Sequence, residues 1–150
     1  MDKRTIGILG LGVFGRSIIN TLRKYNCDII AVDAHQDVIN HFEPILARGV
    51  VGDITDHDLL QAAGIDTCDT VVVATGDNLE SSVLAVMHCK SLGVEKVIAK
   101  VKSKTTRKVL LKVGADRCIS PERETGISLA KNILHQATTD VIELDKNVDA

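Results

Sequence analysis

Apolar residues alternate along the chain between two rhythms. Short unbroken runs occur at Ile6, Ile8 and Leu9, at Ile29–Val32, at Val50–Val51, at Thr70–Thr75, at Val97–Val101 and at Cys118–Ile119. Between them the apolar positions recur every three or four residues, as at Ile18, Ile19 and Leu22, at Val83, Leu84, Val86 and Met87, and at Val109, Leu110 and Leu111. The first rhythm predicts strands buried on both faces, because a half-exposed strand would alternate apolar and polar; the second predicts helices. Punctuation agrees. Thr55 or Asp56, Asn78 and Ser103 stand where helices would be capped, and Gly64, Gly93 and Gly114 where they would stop. Pro44, inside the helical pattern Gln36–Ala47, predicts a kink or an early stop. A final helix is predicted from Pro121 to about His135, and Val141–Leu144 reads as an extra strand.

Six strands alternating with helices through short connections predict an α/β fold, an open doubly wound parallel sheet with helices on both faces. Residues 1–140 are expected to form this domain and 141–150 to begin a linker or tail. The first strand breaks into Gly10-Leu11-Gly12-Val13-Phe14-Gly15, a helix follows, and the second strand ends on Asp33, eighteen positions beyond Gly15. In this setting Gly10 permits the tight turn, Gly12 lets backbone approach a phosphate, and Gly15 lets the helix pack close to the strand. The helix begins with unpaired N–H groups and the positive end of its dipole. A Rossmann-like order 3-2-1-4-5-6 and nucleotide binding follow. Asp33 suits a free ribose 2′-hydroxyl and would repel a 2′-phosphate.

Ligands in such sheets lie outside the carboxyl ends of the strands. That selects the glycine turn with Val13 and Phe14, then Asp33 and Ala34, Asp53 and Ile54, Ala74, the stretch Thr75, Gly76, Asp77 and Asn78, and finally Lys100. Asp53 could meet an adenine edge or cap the following helix. Asn78 reads either as a helix N-terminal residue or as a ligand contact, Arg16 as a phosphate contact or a solvated cation, and Lys100 as a ligand contact or a rim charge.

Composition narrows the partners. The chain has 150 residues, a formal net charge of −2 and no Trp, with one Tyr and two Phe, so neither electrostatics nor stacking platforms favour nucleic acid. The four cysteines, Cys27, Cys68, Cys89 and Cys118, are scattered in or beside apolar segments, without a CxxC, and read as buried free thiols. No apolar run approaches the roughly 18 residues of a membrane span. His35, His41, His57, His88 and His135 fall mostly on helices or their caps, and no metal or nucleophile motif accompanies them, so no metal site and no catalytic residue is assigned. A hydride-transfer enzyme needs a second region to hold its substrate. Binding without chemistry is the favoured reading; the alternative is the cofactor domain of an NAD-dependent dehydrogenase whose substrate domain lies elsewhere.

With these segments in view, residues 4–145 resemble the N-terminal domain of the regulator-of-potassium-conductance family, also called KTN or Trk-type domains. The resemblance rests on IGILGLGVFG at 6–15, AVD at 31–33, VGDIT at 51–55, VVVATGDNLESSVLAV at 71–86 and KVGADRCISPERETG at 112–126. It implies a cytoplasmic gating subunit, peripheral to the inner face of the membrane, that senses NAD(H) or ATP/ADP and controls an integral membrane potassium transporter or channel. It implies that Gly10, Gly12 and Gly15 hold phosphates, Asp33 the ribose and Asp53 the adenine side. It also implies that Glu122 lies near the phosphates, with a divalent cation accompanying a mononucleotide. ATP-binding members commonly carry an arginine where this chain has Val13. Members pair as homodimers that assemble into rings, and the helix Ile127–Leu134 would suit such pairing. They usually continue into a second regulatory domain, so the chain is expected to be one domain of a longer protein.

Overall fold

The computed structural model describes residues 3–149, with side chains described through residue 136. The chain divides into two compact units, one ending at Ile119 and one beginning at Ser120. In the first, six parallel strands are ordered 3-2-1-4-5-6: β1 (Arg4–Leu9), β2 (Cys27–Asp33), β3 (Arg48–Val51), β4 (Thr70–Val73), β5 (Lys96–Lys100) and β6 (Arg117–Ile119). Between them run α1 (Val13–Leu22), α2 (Gln36–Phe42), α3 (His57–Ala62), α4 (Leu79–Ser91) and α5 (Lys104–Val113).

The continuous apolar runs have a simple cause. Successive side chains on a strand point to opposite faces, and here both faces are covered. Ile8, Ile29, Ala31 and Val72 pack with Ile19 of α1 and with Ile39 and Phe42 of α2. Their sequence neighbours Leu9, Ile30, Val32, Val71 and Val73 pack on the other face with Leu60 of α3, Val86 of α4 and Leu110 of α5. Register brings Leu9 level with Val32 and with Val73, so the carboxyl ends of the three central strands open at one height.

Boundaries follow local chemistry. Pro44 ends α2 at Phe42, and the chain tightens into a 3-10 turn at Glu43–Ile45. Asp56, not Thr55, caps α3 by accepting from the Leu59 amide. Asn78 caps α4 and Ser103 caps α5 in the same way. All four cysteines are free; Cys68, Cys89 and Cys118 are buried and Cys27 is half-buried. Burial pushes the Cys68 and Cys89 thiols up to about 12, and moves Cys118 in the same direction.

The second unit is α6 (Pro121–Asp149), with Pro121 at its first position and Glu122 and Glu124 in its first turn. It corrects two expectations. The helix does not stop near His135, and Val141–Leu144 is helix rather than an extra strand. Between Pro121 and Asp149 only Gly126 strongly disfavours helix, and a four-residue apolar run carries no period of its own to impose a strand. Ile127, Leu129, Ile133 and Leu134 are exposed on this helix.

Candidate nucleotide cleft

Each glycine of the first turn is required for a different reason. Gly10 has φ +95°, a left-handed conformation that side chains disfavour, and its amide donates to the Val32 carbonyl at 2.9 Å. Gly15 is buried, and a Cβ there would stand 2.2 Å from the Gly10 carbonyl oxygen. Gly12 has ordinary backbone angles, and no atom lies within 4 Å of the place where its Cβ would be. The space beside Gly12 is therefore open to a ligand. No side chain caps α1 and no acid stands in its first turn, so its positive end is left to meet an anion.

Asp33 ends β2 and is nearly buried, at 9% exposure. Its Oδ2 accepts from the Leu11 amide at 2.7 Å, and its Oδ1 accepts from the His35 amide at 2.8 Å and lies 3.0 Å from His35 Nδ1. A carboxylate only accepts, so Nδ1 carries the hydrogen. Burial alone would raise the Asp33 pKa; the two amides and the imidazole outweigh it and hold the group below the usual carboxylate value. Three of about four lone-pair positions are used, which leaves one on Oδ2 for a hydroxyl. Asp33 thus ties the glycine turn to the end of β2, a task that a ribose contact alone does not anticipate.

The cleft above these groups has a volume of about 380 Å³. On the β1–β3 side it is walled by Gly10, Asp33, Ala34, Asp53 and Ile54, and on the β4 side by Thr75 and Asn78. These are expected site residues, brought together. Asp77, within the expected stretch Thr75–Asn78, lines it too; His35, Gly52 and Ser81 also line it and were not expected. His35 had a readable signal, a histidine two positions after a strand-ending acid, the spacing at which Asp accepts from backbone ahead of it. Asp53 is exposed, and its Oδ1 accepts from the Thr55 amide at 2.9 Å and hydroxyl at 2.7 Å, which lower its pKa. Asp77 is held low by its ion pair with Lys102.

The other candidates of the first unit lie around this volume rather than among its walls. Ala74 is buried beneath it, and a Cβ on Gly76 would stand 3.2 Å from the Lys100 carbonyl. Val13 is 78% exposed at the first position of α1. Phe14 is half-buried in the core below, with Lys100 Nζ 6.0 Å from its ring centroid. Arg16 folds back, its Nε donating to the Gly12 carbonyl at 3.3 Å. Glu122 is exposed on α6, in the second unit. Among the described residues no three His, Cys, Asp or Glu side chains group to hold a metal ion, and no helix is long and apolar enough to cross a membrane.

Residues 6–121 match the TrkA-N domain. The chain belongs to the TrkA-N domain family. Within it, the chain is 35% identical over 144 residues to the Ktr system potassium uptake protein C of Bacillus subtilis, covering 96% of this chain and 65% of that protein. It thus spans about 65% of the length of that relative. The TrkA-N domain of the inner membrane protein ybaL from Escherichia coli superposes with a TM-score of 0.77 at 14% identity, over 87% of this chain and 96% of that one. The GsuK channel bound to NAD superposes with a TM-score of 0.66 at 22% identity, over 79% of this chain and 21% of that one. GsuK bound to ADP gives 0.65 at 22% identity, over 79% and 31%. At these identities the superpositions establish the fold.

Proposed function

We propose that this TrkA-N domain is the nucleotide-binding part of a cytoplasmic gating subunit that senses NAD(H) or ATP/ADP and controls a membrane potassium transporter or channel. The observation that carries the reading is the join between Asp33 and the glycine turn: one carboxylate fixes the Leu11 amide and keeps an acceptor position beside the open face of Gly12. A diphosphate at the uncapped start of α1 and a ribose at Asp33 would then be held by one rigid corner. Adenine would lie toward Asp53 and Ile54. The name of the Bacillus subtilis relative supports the potassium role, and the NAD and ADP of the GsuK structures support the ligand class. The domain acts as a sensor rather than an enzyme. Ligand exchange gates the membrane partner only through differential affinity for two arrangements of paired domains.

Calorimetric titration with ATP, ADP, AMP, NAD⁺ and NADH, with and without Mg²⁺, tests the ligand. Micromolar binding by at least one, roughly −7 to −8 kcal/mol, is expected. Failure of all five overturns the proposal. The pairing surface would be α6, whose exposed Ile127, Leu129, Ile133 and Leu134 suit burial against a second copy. Light scattering is expected to report a dimer; a clean monomer at high concentration would count against it.

A further inference from the structure

The segment Gly52–Asp56 contributes the Asp53 and Ile54 wall of the cleft, yet it belongs to no helix or strand. Something must fix it if it is to recognise a base. Part of the answer is internal: Thr55 holds Asp53 Oδ1 through its amide and hydroxyl, and the Asp56 amide donates to the Asp53 carbonyl at 3.1 Å. Those bonds set the shape of the turn but not its position. Position comes from α4. His88 lies 33 residues away in sequence, half-buried, with Nε2 2.9 Å from the Thr55 carbonyl oxygen. A carbonyl only accepts, so Nε2 is the donor. The ring is steadied by His57, the first residue of α3, which meets it edge-on with centroids 5.3 Å apart and planes at 80°. Neither imidazole lines the cleft. The same helix also grips the opposite rim, where buried Ser82 Oγ donates to the Thr75 carbonyl at 3.3 Å.

We propose that His88 is the positioning residue for the adenine-facing wall: through the Thr55 carbonyl it holds Gly52–Asp56 at the separation from the β4 rim at which Asp53 reads an exocyclic amino group. This rests on the nucleotide reading above and adds to it a determinant of base selectivity. The Asp53 carboxylate accepts from the 6-amino group of adenine and is opposed by the 6-oxo group of hypoxanthine. Discrimination of that kind depends on where the carboxylate stands. The ribose and phosphate contacts, built on Asp33 and the glycine turn, do not depend on His88.

The test compares His88→Met, which fills the space without a donor, with His88→Gln, which keeps an amide donor. ADP and IDP are titrated into each, and amide hydrogen exchange is followed without ligand. In His88→Met, exchange across 52–56 is expected to rise about fivefold to tenfold, the value of one lost hydrogen bond, with the central strands unchanged. ADP binding weakens by a similar factor while IDP binding changes less than twofold, so selectivity contracts. His88→Gln restores most of both effects. A domain merely loosened by the substitution would weaken ADP and IDP together, and that result overturns the proposal, as does unchanged exchange across 52–56. Wild-type protein binding neither nucleotide overturns the nucleotide reading and this inference with it. Wild type that binds ADP, beside a His88→Met variant that binds it identically, overturns this inference alone.

Discussion

Gly15→Ala is expected to lower stability by about 1–3 kcal/mol and to abolish nucleotide binding. Two effects compete at this position. Alanine is the better helix former by about 1 kcal/mol, and on propensity alone the substitution inside α1 would stabilise. Against this, the new Cβ would stand 2.2 Å from the Gly10 carbonyl oxygen and 3.4 Å from Ala74 Cβ. The first of these is backbone, which no side-chain rotation relieves, so α1 must lift from the β1 turn. The overlap wins. Because Gly10 also carries the φ of +95°, the displacement falls on the turn that would face the phosphates. Thermal unfolding checks the sign, with a fall of roughly 3–10 °C expected for a domain of this size. Gly12→Ala is the control: it meets nothing within 4 Å, so melting is unchanged while the methyl obstructs the ligand. A Gly15→Ala protein that melts at or above the wild-type temperature would refute the argument.

Asp33→Ala is expected to reduce affinity for any adenine nucleotide by at least about 100-fold, at or above the upper end of what loss of one charge-assisted hydrogen bond produces. The substitution removes the proposed ribose acceptor and also orphans the backbone amide of Leu11, a buried residue. The glycine turn then loses its tie to β2. Asp33→Asn, with one acceptor oxygen, should keep most of the stability and lose most of the binding; equal affinity in Asn and wild type would show that the carboxylate is not the ribose acceptor. The same group sets an acid limit. Its native pKa is depressed, so its contribution to stability is complete above the ordinary aspartate value of about 4 and is lost as pH falls through the native value. Stability of the wild type should therefore fall more steeply than that of Asp33→Asn below about pH 4.

Much of this architecture was legible because sequence and burial obey the same period. Val71, Val72 and Val73 are all buried, on alternating faces, as an unbroken run implies. Gly10, Gly12 and Gly15 sit where their spacing placed them, and Asp33 stands beside them. What could not be read was contact at long sequence separation. Nothing in a local pattern says that Leu11 donates to Asp33, that Lys102 pairs with Asp77, or that His88 reaches Thr55. The end of the chain failed for the opposite reason. Val141–Leu144 has strand-like composition over too few residues to decide, and the helix already under way from Pro121 continued through it.

The buried thiols carry a consequence for redox signalling. A thiol reacts with oxidants, electrophiles and disulfides as its anion, and burial, which pushes the Cys68 and Cys89 thiols up to about 12, disfavours that anion at neutral pH. Both are buried, as is Cys118, which is shifted the same way. Burial and raised pKa values make these three sulfurs poor redox sensors. A nicotinamide dinucleotide seated at Asp33 would not be one. If this domain reports on reducing power, the message arrives as the identity of a bound small molecule, reversible on dissociation and requiring no reductase to reset.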